Sequence, residues 1–272
     1  MNDILIRNNV KVSGHGNQTL LFAHGFGCDQ NVWRHITPAF QRDFKIVTFD
    51  YVGAGRSDLS AYSSDRYGTL HGYASDILEI CEELQLSDVI FVGHSVSSMI
   101  GLKAAIRRPD LFKQLIFVAP SASYINDGNY IGGFEKDDLL ALFDVMDNNY
   151  LGWSSNMGPL VMGNADRPEL AEELTKSFCT TNPKIAKEFA RVTFFSDSRA
   201  ELKALTIPSL TIQCSNDLLA PLEVGRYINN NTPLNAMTVL NATGHCPHLS
   251  APVETTRAIA QFIEVHNYQL AS

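Results

Sequence analysis

Gly93-His94-Ser95-Val96-Ser97 has the residue types and the setting for nucleophilic chemistry. It lies between an apolar run at 88–92 that reads as a buried strand and a run at 98–105 that reads as a helix. A serine on so tight a strand-to-helix turn has its hydroxyl pushed out at the sheet edge, and the helix aims backbone N–H groups at the same spot. The usual form of this nucleophile elbow is Gly-x-Ser-x-Gly. Here Ser97 stands in the last position, a residue small enough for the close approach of helix and strand. A serine hydroxyl is nearly inert until a base takes its proton. On a sheet of this kind the partners follow in the order serine, acid, histidine. Asp217 follows the apolar run 210–214, and His245 follows the run ending at Leu240. His245 is therefore expected to act as general base and then general acid, with Asp217 orienting its ring. Asp217 as a mere loop-capping aspartate is the bland alternative. Asp197 is the rival acid but precedes the strand. His248 is the rival base. Gly244 favours His245, because it permits a sharp loop that turns the ring back toward the sheet. His94 adjoins Ser95 and should point away from it, as a packing or pocket residue.

An acyl-transfer site also needs donors for the developing oxyanion. The N–H of Val96 is one candidate. The N–H of Phe26, within His24-Gly25-Phe26-Gly27 after the run 19–23, is the other. Phe26, Phe134, Trp153, Phe194 and Phe195 are the aromatic candidates for an apolar pocket that favours a neutral substrate. Gly53-Ala54-Gly55 lacks the third glycine of a dinucleotide fingerprint and reads as a tight turn after Asp50.

Positioning these groups requires a sheet. Residues 4–12 read as an opening hairpin. Runs at 19–23, 45–49, 89–92, 114–119, 209–213 and 236–240 are apolar without alternation, as strands covered on both faces are. Residues 70–84 and 253–265 have helical spacing between or after them. The pattern predicts an α/β chain with a mostly parallel, doubly wound sheet. Residues 121–195 contain no strand signal and four helical stretches, 134–146, 148–158, 168–177 and 183–194. They read as a helical cap inserted in a core formed by 1–120 and 196–272.

With 272 residues, the chain fits one large α/β domain. A formal net charge of −8 and the lack of a basic run argue against nucleic acid and anionic membranes as partners. The N-terminal stretch from Met1 to Asn8 lacks a signal-peptide pattern, and no apolar run is long enough to span a bilayer. Five scattered cysteines without a Cys-x-x-Cys pair read as reduced thiols of a cytoplasmic protein. No closely spaced ligand set marks a metal, and no cofactor is expected.

Taken jointly, His24-Gly25-Phe26-Gly27-Cys28-Asp29-Gln30, Asp50-Tyr51-Val52-Gly53-Ala54-Gly55, Gly93 to Gly101, Arg107-Arg108-Pro109, Gly132-Gly133-Phe134 and Gly244-His245-Cys246-Pro247-His248 resemble the α/β-hydrolases. More narrowly, they resemble the RsbQ-like group that also holds the plant karrikin and strigolactone receptors. Ser97 in the glycine position resembles the receptors' elbow. The resemblance implies the α/β-hydrolase fold, a four-helix V-shaped cap over a closed hydrophobic pocket, and a triad of Ser95, Asp217 and His245. It also implies pocket positions at Phe26, Phe134, Trp153 and Phe195. It implies a small hydrophobic ligand and a partner phosphatase of the RsbP type in a stress-signalling cascade. Three readings follow: a signalling hydrolase with slow turnover of an ester- or lactone-like compound, a metabolic carboxylesterase or lactonase without a partner, and a receptor whose triad is idle.

Overall fold

Runs of Leu, Ile, Val and Phe without polar alternation lose their apolar surface only when both faces of the strand are covered. In the computed structural model, which describes residues 4–269, the runs at 19–23, 89–92, 114–119 and 209–213 are buried throughout, whereas 236–240 lies in the last strand of the sheet order and is mostly half-buried or exposed, because an edge strand has a neighbour on one side alone. The strands are β1 (Lys11–Ser13), β2 (Thr19–Ala23), β3 (Lys45–Thr48), β4 (Val89–His94), β5 (Phe112–Val118), β6 (Ser209–Asn216) and β7 (Asn235–Thr243). Every residue of β2 and β4 is buried. The sheet order is β1-β3-β2-β4-β5-β6-β7, with β1 antiparallel to β3 and all other pairs parallel. The helices are α1 (Ile4–Arg7), α2 (Ser64–Tyr67), α3 (Leu70–Glu83), α4 (Val96–Arg107), α5 (Lys136–Asn148), α6 (Tyr150–Met162), α7 (Pro168–Thr180), α8 (Pro183–Phe194), α9 (Leu222–Asn231), α10 (Pro247–Ser250) and α11 (Pro252–Gln269).

Strand alternation sends neighbouring residues to opposite cores. Leu21, Val47, Phe91 and Phe117 join α3, α4 and α9 in one cluster. Leu20, Phe22, Val92, Ile116 and Ile212 join α11 and the four-helix segment α5–α8 in the other. This is the doubly wound sheet that the sequence patterns predict. Its parallel strands deliver the loops after β2, β4, β5, β6 and β7 to one edge, where ligands meet such sheets. Among the described residues no helix is long and apolar enough to cross a membrane.

Two local expectations change. Residues 4–12 form no hairpin: Ile4–Arg7 is a helical turn, and only Lys11–Ser13 pairs, as the edge strand. Of the N-terminal stretch, residues 1–3 lie outside the described residues. The cause is a buried polar anchor. Arg7 donates to Asp76 (2.9 Å), Asn8 donates to Asp76 (3.1 Å), and Arg66 and the Tyr67 hydroxyl reach the same carboxylate at 2.7 and 3.1 Å. Asp76→Ala leaves two guanidinium groups without that partner. It should lower unfolding free energy by about 3–5 kcal/mol. A urea titration showing a loss below about 1 kcal/mol would contradict this role for the anchor.

The second change concerns α6, which runs through Pro159 to Met162 rather than ending at 158. Proline forfeits one backbone donor, but the following turn is held at its far end. Gly163 N–H donates to the Pro159 carbonyl (2.9 Å), and the Asn164 amide donates to the carbonyls of Met162 and Thr243 (both 2.8 Å).

Candidate active site

The turn at Ser95 is forced. Its backbone has φ 56° and ψ −124°, a left-handed conformation that costs a non-glycine residue roughly 1–3 kcal/mol. The strand before it and the helix after it are both buried, and Ser95 N–H donates to the Val118 carbonyl (2.8 Å). Those contacts hold the hydroxyl at the sheet edge. Val96 opens α4, so its N–H is among the helix donors without an intrahelical acceptor.

Ser95 Oγ lies 2.7 Å from His245 Nε2, and His245 Nδ1 lies 2.7 Å from Asp217 Oδ2. A carboxylate only accepts, so Nδ1 carries the proton and Nε2 presents its lone pair to the serine hydroxyl. The other oxygen of Asp217 accepts from the N–H groups of Leu219 (2.9 Å) and Ala220 (3.2 Å), which fixes the carboxylate. All three side chains are buried. Gly244 (φ 89°) makes the turn that brings His245 in, and a Cβ there would run into the Met162 carbonyl. His245 N–H in turn donates to the Val161 carbonyl (2.9 Å), so the last turn of α6 holds the histidine loop.

The rival residues stand elsewhere. Asp197 pairs with Arg199 at the surface (2.6 Å). His248 is fully buried, with its ring 4.3 Å from that of His94 and 4.8 Å from Trp33.

The loop after β2 packs onto the nucleophile. A Cβ on Gly25 would strike the His94 ring and come within 3.3 Å of Ser95 Cβ, so the Gly25 backbone passes directly over the serine. Cys28 N–H closes a turn onto the Gly25 carbonyl (3.3 Å), which leaves the intervening N–H of Phe26 outside that bond. His24 anchors the loop. Its Nδ1–H donates to the Gly25 carbonyl (2.8 Å), and its Nε2 accepts from Tyr51 N–H (3.1 Å). The Ser97 hydroxyl donates to the His24 carbonyl and accepts from the Tyr51 hydroxyl (3.0 Å). The serine that replaces glycine in the elbow therefore ties the elbow to the loop above it.

A small cavity of about 30 Å³ lies against these groups, walled mostly by apolar side chains that include Phe26, Trp153, Met157, Phe178 and Phe194. Such a volume holds about one or two waters and no ester. Phe26 is the hub, with ring centroids within 6.3 Å of Trp153, Phe178, Phe189 and Phe194. His94 lines the cavity and donates from Nε2 to the His245 carbonyl (2.8 Å). Of the aromatic candidates, Phe134 and Phe195 are not among the lining residues. Phe195 follows the end of α8, where the chain turns its ring away from that of Phe194. It stacks on Phe143 (5.3 Å) and faces an outer groove with Lys103 and Arg191. Phe134 bonds through its backbone to Tyr124 and Asn126 and packs edge-on behind Phe194 (6.3 Å).

Sequence reasoning missed Tyr124. Its hydroxyl lies 3.1 Å from Ser95 Oγ. Because the serine proton faces His245, Tyr124 is the donor in that pair. No motif marks it. Its only signal is position, a few residues past β5 on the edge where ligand-facing loops gather.

The neighbouring histidines are neutral. Burial lowers the pKa of His24 and His94, the latter well below the usual histidine value, and lowers His248 to about 3. In the unfolded chain the three titrate near 6.5. Their contribution to stability is therefore complete above about pH 6.5 and is lost as pH falls toward the folded values, at about 1.4 kcal/mol per pH unit for each group. Denaturant unfolding between pH 7.5 and 5 should show a falling midpoint, and His248→Gln should flatten the slope. A midpoint independent of pH over that span would mean that these rings are not held neutral.

Residues 18–252 match the family described as alpha/beta hydrolase fold. The chain is 42% identical over 246 residues to a karrikin insensitive 2 receptor of Petunia hybrida, covering 90% of this chain and 91% of the relative. It is 37% identical over 262 residues to the strigolactone esterase D14 of Arabidopsis thaliana, covering 96% of each. The solved structure of a hydrolase from Oleispira antarctica superposes with a TM-score of 0.93 at 44% identity over 96% of both chains.

Proposed function

Because this chain belongs to the α/β-hydrolase family, and three of its buried side chains are hydrogen-bonded in series, we propose that it is a serine hydrolase of small apolar esters or lactones. The observation that carries this reading is the series itself: Ser95 Oγ to His245 Nε2 at 2.7 Å, and His245 Nδ1 to Asp217 Oδ2 at 2.7 Å. In the proposed reaction, His245 takes the Ser95 proton as Oγ attacks the ester carbonyl. The tetrahedral oxyanion is received by the N–H groups of Val96 and Phe26. His245 then passes the proton to the departing alkoxide, leaving an acyl-serine. Water repeats the sequence, with His245 again as base, and releases the acid. The Tyr124 hydroxyl donates toward Oγ and supports its developing charge.

The four-helix segment, residues 121–195, is proposed as a cap on a core formed by 1–120 and 196–272. The cavity of about 30 Å³ supports a cap that parts to admit substrate, because no ester fits the closed space. The apolar wall supports neutral substrates. A fluorophosphonate probe should label Ser95 alone, and short-chain aryl esters should be cleaved more readily than long-chain ones. Absence of labelling would reject the assignment.

Receptor duty is the second reading, favoured by the closed cavity and by relatives that bear receptor names. In its RsbQ-type form, slow turnover of a small hydrophobic compound sets a state that a partner phosphatase of the RsbP type reads in a stress response. That version rests on motif resemblance. Co-purification with a sensor-bearing phosphatase would support it, and a high turnover independent of any partner would favour the metabolic esterase instead.

A further inference from the structure

His94, Cys246 and His248 are brought together by the fold, although His94 stands about 150 residues before the other two in the chain. One ligand atom from each lies within 4.8 Å of those of the other two, and all three residues are buried. His248 is fully buried, yet neither of its ring nitrogens has a hydrogen-bond partner, and Nδ1 of His94 has none either. A neutral imidazole always carries one N–H and one lone pair. Leaving both unpaired in the interior costs roughly 1–3 kcal/mol per group, a cost that calls for an explanation. The proposed hydrolysis uses neither Cys246 nor His248.

We propose that His94, Cys246 and His248 form a binding site for a soft monovalent metal ion of the Cu⁺ type. The ligand set is one sulfur and two imidazoles, the donors that select such ions. Charge decides between a monovalent and a divalent ion. Cys246 is the one ligand of the three that becomes an anion, so a monovalent ion leaves the complex neutral, whereas Zn²⁺ leaves a net positive charge in a buried site. Binding forms the sulfur–metal bond and breaks the S–H bond, releasing one proton to solvent without any redox change. His94 and Cys246 both line the cavity beside Ser95.

The test uses the full chain, Cu⁺ held by bathocuproine disulfonate, and anaerobic conditions. The wild-type protein should withdraw one Cu⁺ per chain from the chelator. Cys28→Ser and Cys179→Ser should do the same. Cys246→Ser and His248→Gln, each checked for native circular dichroism, should weaken capture on the order of 100-fold. X-ray absorption of the loaded wild type should report one sulfur and two nitrogen neighbours, a result that depends on no variant. The site is overturned by failure of the wild type to capture copper, by capture that disappears with Cys28→Ser or Cys179→Ser, by undiminished capture in His248→Gln, or by two sulfurs in the copper shell. Tighter binding of Zn²⁺ than of Cu⁺ overturns the assignment of a monovalent ion.

Discussion

Ser95→Ala should lower kcat for a short-chain aryl ester by about 10⁴-fold or more, and His245→Ala by a similar factor. The size follows from the linkage. The serine hydroxyl becomes a nucleophile only as its proton passes to Nε2, and Nε2 carries its lone pair only because Asp217 holds the proton at Nδ1. Removing either end of the relay removes the same step. The double variant is therefore little slower than either single one, in place of the roughly 10⁸-fold loss that independent effects would multiply to. Asp217→Asn loses about as much, since an amide can donate to Nδ1 and turn the ring to the wrong tautomer. Single-turnover assays on folded protein measure all four variants. Wild-type activity in Ser95→Ala would end the mechanism, and multiplicative losses would mean that the three side chains do not act as one unit.

Gly25→Ala should reduce kcat by about 10²–10³-fold while leaving KM within a few-fold. The added Cβ would meet the His94 ring and Ser95 Cβ, both buried, so the loop has to lift. Lifting carries the Phe26 N–H away from the oxyanion while Val96 stays fixed by α4. One of the two proposed donors is lost, and the effect falls on the transition state, because a ground-state carbonyl depends less on that bond. Steady-state kinetics separate the two parameters, and thermal unfolding gives the stability cost independently. Retention of kcat would exclude Phe26 as a donor. A rise in KM alone would assign the loop to substrate binding.

The strand runs and the residues at their carboxyl ends were legible because both follow from local rules. A parallel strand is covered on both faces, so it reads as an unbroken apolar run, and chemistry gathers where such strands end. That logic reaches Ser95, Asp217 and His245, and the structure brings them within hydrogen-bonding distance. It does not reach Tyr124, whose contact with Ser95 depends on how the chain after β5 folds back. Helix spacing marked α8 to the residue. The spacing stops α6 at 158, one residue short of Pro159, whereas the helix runs on to Met162, its end held by Gly163 N–H on the Pro159 carbonyl and by Asn164, which also bonds the Thr243 carbonyl, remote in sequence. The opening turn was misread for a related reason: Arg7 and Asn8 are drawn to Asp76, some seventy positions away. Phe134 and Phe195 show that an aromatic near a site can miss it by one layer or one residue of helix phase. The juxtaposition of His94 with His248 has no local signature at all.

The Val161 carbonyl that receives His245 N–H (2.9 Å) joins the roof of the cavity to the proton carrier. On the proposed mechanism, a guest that raises the end of α6 would pull on the imidazole through that bond. A guest admitted by movement of the other cap helices would leave the imidazole aligned. That one backbone bond would then couple the way a guest enters to whether it is cleaved.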